Sequence, residues 1–190
     1  MTLGGVHLLY GVEPDIAIFS KGMANGYAMS AIIGRKEVMQ AAQGSFISST
    51  NWTESIGPVS ALAAIKKMKK VNLAKQLKET GNKVRRAWER ASKKHGVPVE
   101  ISGVAPLLFF KFVPENRQAI KTLFVQEMLR RGILASNLFY ASYAHTSAHV
   151  KQYERAMDEV FAILKQAIDS KSVEKRLKGP VAHSGFQRLN

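Results

Sequence analysis

Three observations predict a mixed α/β chain. Short apolar runs bounded by proline or glycine, such as Ile16 to Phe19 and Leu107 to Phe112, have the length and composition of strands. Longer stretches repeat apolar residues at helical spacing, most clearly Val150, Tyr153, Met157, Val160, Phe161, Leu164 and Ile168. The 190 residues are 46% hydrophobic and 22% charged, which is globular rather than disordered composition.

The elements follow in order. Pro14 to Ser20 reads as a buried strand, and Lys21 to Gly26 as a loop with Asn25-Gly26 as its turn signal. Met29 to Ile33 reads as a second buried strand, ended by Gly34. A short helix is expected over Lys36 to Gln43, closed by Gly44, and a hydroxyl-rich loop over Ser45 to Thr53. From Glu54 to about Lys70, Ile56, Val59, Ser60, Ala63 and Ala64 support a buried helix. Leu73 to His95 is expected to form another helix, stopped by Gly96. Strands are expected at Val99 to Ile101 and Leu107 to Phe112, then a helix from Glu115 to Arg131 with Gly132 at its stop. Ile133 to Tyr143 holds one or two short strands, and Thr146 or Ser147 is the N-cap of the last helix. Lys171 to Asn190 reads as a polar, basic surface tail. The domain expectation is residues 1–72, apolar and punctuated by glycine, followed by a small α/β domain over residues 73–190 that includes a linking helix and the basic tail.

Composition excludes several classes of function. No run approaches the roughly 18 apolar residues of a membrane span, and no secretory leader pattern is visible. The chain has no cysteine, which excludes disulfides and thiolate metal sites and is compatible with the expected cytoplasmic location. His145 and His149 stand four apart without a third ligand, so no metal site is expected. The formal charge is +14, and twelve of the 28 basic residues lie between Lys66 and Lys94 against two acids, Glu79 and Glu89. A basic surface of that kind fits either the solvated face of a helical pair or a nucleic-acid footprint. No interleaved aromatic residues provide stacking platforms, so nucleic acid is not the expected partner.

Lys21 ends the first predicted strand beside Ser20 and Gly22. Taken alone, it fits either a snorkelling surface lysine or an amine able to attack an aldehyde. The surrounding segment, from Tyr10 through Pro14-Asp15-Ile16-Ala17-Ile18-Phe19-Ser20-Lys21-Gly22 to Tyr27, resembles the lysine signature of class III pyridoxal-phosphate aminotransferases. Ser48 to Glu54 followed by Gly57-Pro58 resembles that family's threonine segment, and the ending Gly179 to Asn190 is similar to members near glutamate-1-semialdehyde 2,1-aminomutase.

The resemblance implies part of a fold-type I large domain plus a C-terminal small domain, with pyridoxal 5'-phosphate as cofactor and Lys21 as its Schiff-base residue. It implies that Thr53, with Thr50 as the alternative register, binds the phosphate of a neighbouring subunit's cofactor in a homodimer. Trp52 either lines the substrate pocket or anchors its loop. The implied reaction moves an amino group from a small-molecule donor to a keto or aldehyde acceptor, or within one molecule as an aminomutase. The released lysine acts as base and then acid. His145-Thr146 resembles a family step before the last helix, and capping is its expected role. Two departures stand out. Ala28 replaces a proline common after the glycine turn, and the family's Asp-Glu motif falls before the point where this sequence begins. The expectation is therefore a truncated chain, inactive alone. The alternatives are a non-catalytic basic nucleic-acid-binding protein and a non-catalytic partner of a full-length homologue.

Overall fold

The computed structural model falls into two compact units, one reaching to Lys75 and one starting at Gln76. Residues 2–185 are described.

The first unit contains β1 (Ile16–Phe19), β2 (Ala31–Gly34), α1 (Lys36–Gln40) and α2 (Ile56–Lys70). β1 and β2 pair antiparallel, with Ile16 opposite Gly34 and Phe19 opposite Ala31. Both strands form where apolar runs predict them, but neither is buried. Ile18 is 70% exposed, and Ile32 and Ile33 lie open as well. The expected burial is thus corrected: a two-stranded ribbon shields little surface unless another layer covers it. α2 is corrected in the same sense. Gly57 and Ala61 are its buried residues, while Ile56, Val59 and Leu62 are exposed.

α3 (Leu73–His95) leads into the second unit, which continues with β3 (Val99–Val104), β4 (Leu107–Phe112), α4 (Arg117–Arg130), β5 (Leu138–Tyr140) and α5 (Ser147–Asp169). The sheet has the order β3-β4-β5 with antiparallel neighbours. Along β4, Leu108, Phe110 and Phe112 alternate into the core, as the period of two requires. They meet Trp88 from α3, Phe124 from α4 and Phe161 from α5. Trp88 and Phe110 pack edge to face at 4.7 Å, a favoured aromatic arrangement. The backbone of α3 comes so close to the β3–β4 turn that a methyl group at Gly81 would run into the Ala105 carbonyl.

Thr146 caps α5 in a reciprocal box: its hydroxyl accepts from the His149 N–H, and His149 Nδ1 accepts from the Thr146 N–H, both at 3.3 Å. The segment expected as a surface tail from Lys171 is exposed over most of its described residues, but it is tied to the domain rather than loose. Val173 is buried, Gln126 Nε2 donates to the Arg176 carbonyl at 3.0 Å, and Gln118 Nε2 donates to the carbonyls of Ala182 and His183. Three polar side chains of α4, Gln118, Thr122 and Gln126, thus hold the segment along the helix. The remainder of the ending, residues 186–190, lies outside the described residues.

Candidate active site

Lys21 follows β1 immediately and opens a turn over Lys21–Met23. Its φ is 51°, in the left-handed region that a residue with a Cβ enters at a cost of roughly 1–2 kcal/mol. Such outliers persist where surrounding structure determines them. Here the turn is held from several directions. The Met23 N–H donates to the Ser20 carbonyl at 3.2 Å, and Ser30 Oγ donates to Ser20 Oγ at 3.4 Å across the base of the β1–β2 connection. Ala24 is fully buried, and its carbonyl accepts from Ser60 Oγ of α2 at 2.8 Å. Gly57 permits this approach, because a methyl there would sit 3.0 Å from the Ala28 carbonyl oxygen.

The lysine itself is exposed, which corrects the expectation of an amine at the end of a buried strand. Its side chain makes no ion pair or hydrogen bond among the described residues. Asp15, by contrast, is already engaged: its carboxylate lies 3.2 Å from Arg35 Nη1, and its carbonyl accepts from the Arg35 N–H at 3.0 Å.

Thr50, Trp52 and Thr53 stand on the irregular segment before α2, all three exposed, with Trp52 at 64%. No hydrogen bond among the described residues joins any of them to Lys21. A recess of about 360 Å3 opens between Tyr27 and the first turns of α2, lined by Ser55, Ile56, Val59, Ser60 and Ala63. Ser60 counted in the sequence only as a small residue of a helix face.

In the second unit, Tyr153 is fixed by the Trp88 Nε1–H at 2.8 Å, and burial pushes its hydroxyl well above the usual tyrosine range. It is thereby a structural group. His145 Nδ1 accepts from the Ser142 N–H at 3.0 Å, a local contact like that of His149.

Comparison with solved structures defines the fold. The Sphingopyxis sp. MTA144 FumI protein, solved in its PLP internal aldimine form, matches with a TM-score of 0.79 at 23% identity over 86% of this chain and 40% of that one. An omega-transaminase from Sphaerobacter thermophilus matches with a TM-score of 0.74 at 19% identity, over 85% and 41%. The chain therefore has part of the fold-type I architecture of these proteins.

Residues 5–168 match the profile of the class III aminotransferases, and the chain belongs to that family. Similar curated proteins include a 3-aminobutyryl-CoA aminotransferase from Cloacimonas acidaminovorans, 29% identical over 88% of this chain and 42% of its own length. A 2'-deamino-2'-hydroxyneamine transaminase from Streptomyces kanamyceticus is 28% identical, over 83% and 41%. The chain thus spans about two-fifths of the curated relatives it matches.

Proposed function

We propose that the chain takes part in pyridoxal 5'-phosphate-dependent transamination, with Lys21 as the residue that holds the cofactor. The observation that carries this reading is the lysine turn: an amine without an ion-pair partner among the described residues, presented at φ 51° from a loop pinned by Ser60. Backbone strain of that kind concentrates at functional positions. The donor set fits the group, since a primary amine suits an aldehyde, and the hydroxyls of Ser48, Ser49, Thr50 and Thr53 suit a phosphate.

When bound, the cofactor supplies an electron sink for negative charge at the substrate carbon. The chain's own contribution is placement and proton handling. Lys21 Nζ takes a proton from the substrate carbon as base and returns one as acid. Thr53 Oγ1 would donate to the phosphate, with Thr50 as the alternative register, and Trp52 would offer an aromatic wall to the substrate. The partners are a small-molecule amino donor and a keto or aldehyde acceptor, and the working form is a cytoplasmic homodimer in which Thr53 serves the neighbouring subunit. The names of the similar curated proteins, an aminotransferase and a transaminase, favour intermolecular transfer. The aminomutase variant rests on the ending, part of which lies outside the described residues.

The test is borohydride reduction of the chain with pyridoxal phosphate, followed by peptide mapping. The pyridoxyl group is expected on Lys21, and Lys21→Ala abolishes the label. Label on Lys36, or spread over α3, overturns the assignment. In a dimer carrying the complete site, Thr53→Ala is expected to weaken cofactor binding about tenfold or more. Hydrogen bonds to charged groups contribute roughly 1.5–3 kcal/mol. A larger loss from Thr50→Ala transfers the role to Thr50.

A further inference from the structure

A cluster of positive side chains lines one recess between α3 and α5. Lys83, Arg86 and Arg90 follow at spacings of three and four on α3, so they form one stripe. They line a recess of about 490 Å3 together with Ser147, Lys151 and Glu154 of α5. Arg90 Nη2 is paired with Glu154 Oε1 at 3.1 Å. Lys83, Arg86 and Lys151 are exposed and make no ion pair among the described residues. Four cations therefore stand against one carboxylate, and Arg90 already engages that carboxylate.

Two further features sharpen the chemistry. The capping box satisfies the N–H groups of Thr146 and His149, leaving those of Ser147 and Ala148 without a partner among the described residues. Ser147 lines the recess, so the positive end of a 23-residue helix adds to the side-chain charge there. Trp88, the aromatic of α3, is fully buried, and no aromatic ring lines the recess, so a nucleobase finds no stacking platform. One turn further along, Lys94 and His95 both pair with Asp158, at 2.7 and 2.8 Å. At that point an acid offsets the charge, whereas the recess gathers three cations without ion-pair partners, among the described residues, in one concavity. A compact group carrying two or three negative charges matches it better than an extended polyanion.

We propose that this recess binds the diphosphate group of a small phosphorylated ligand through its charge, with any attached base left outside the recess. Lys83, Arg86 and Lys151 supply charge-assisted hydrogen bonds, and the start of α5 supplies backbone donors. The site is built without Lys21 and does not depend on the cofactor reading.

The test is calorimetric titration of the full chain at about physiological salt with inorganic pyrophosphate, with adenosine diphosphate and with a short DNA duplex. Saturable binding of pyrophosphate and of adenosine diphosphate is expected. The double variant Lys83→Gln, Lys151→Gln weakens it about a hundredfold, roughly tenfold per charged donor. Lys111→Gln, an exposed lysine of β4, leaves it unchanged. All three positions are exposed, so the variants keep the fold, and matching melting curves check this. Absence of saturable pyrophosphate binding overturns the proposal, as does an equal loss in Lys111→Gln, which would mean diffuse charge. Duplex binding that survives the double variant and exceeds that of pyrophosphate overturns it in favour of an extended polyanion surface.

Discussion

The second unit keeps Trp88, Phe110, Phe124 and Phe161 wholly out of water, whereas the described residues of the first bury Ala24, Gly57 and Ala61. Fully burying a large apolar side chain contributes roughly 1.5–3 kcal/mol, and an alanine methyl far less. The stability of the chain is therefore concentrated after Gln76, while the lysine signature lies before it. Functional loops are commonly drawn from the less stable parts of a protein. Here the lysine turn is held by a few specific hydrogen bonds and one close glycine contact rather than by a core of its own.

Trp88→Ala gives the largest expected effect on this contrast. It removes the aromatic at the centre of the second unit and orphans the Tyr153 hydroxyl, costing about 4 kcal/mol. Chemical denaturation measures it, and a loss below 1 kcal/mol would mean that the aromatic cluster does not carry the unit's stability.

Glu127 comes next. Burial alone would raise its pKa, but hydrogen bonds from Gln126, Arg130 and Arg131 prevail and hold the carboxyl below its usual value of 4.5. A depressed carboxyl stabilises the fold above its unfolded pKa and loses that contribution as pH falls through the folded value. The wild type is therefore expected to lose stability on acidification below about 4.5. Glu127→Gln, lower in stability by about 2 kcal/mol at neutral pH, should show a flatter profile there. Parallel pH profiles of the two proteins would refute the coupling.

Thr146→Ala removes the acceptor of the α5 capping box and is expected to cost about 1 kcal/mol in thermal or chemical unfolding. The smallest effect belongs to the first unit. Ile18→Ala, at a position 70% exposed, should change stability by less than about 0.5 kcal/mol. A loss as large as that of Trp88→Ala would show that β1 is covered by something, and would erase the contrast between the units.

Much of this architecture was readable in advance. The apolar face of α5, the extent of α3 and the alternation of β4 follow from periodicity, and Thr146 was one of two legible caps. Class membership was legible in the words around Lys21 and is borne out by the family match. The exposure of β1, β2 and α2 was not legible, because an apolar run shows what an element would bury and not whether a covering layer is present. The pinning of residues 173–183 was hidden for a different reason. Its partners Gln118, Thr122 and Gln126 lie 50 to 65 positions away and look like ordinary surface residues.

By itself, the sequence determined the order and type of the elements, the family and the identity of the one lysine in the signature. These depend on local propensity, short-range periodicity and residue wording, all contained within a few neighbouring positions. The tertiary structure alone decided that Lys21 sits at φ 51° with Ser60 bracing its turn, and that Arg90 reaches Glu154. It also decided that three cations stand without ion-pair partners, among the described residues, around the start of α5. Such features arise where distant segments meet, and the distances that make a hydrogen bond or concentrate charge exist only once the chain has closed upon itself.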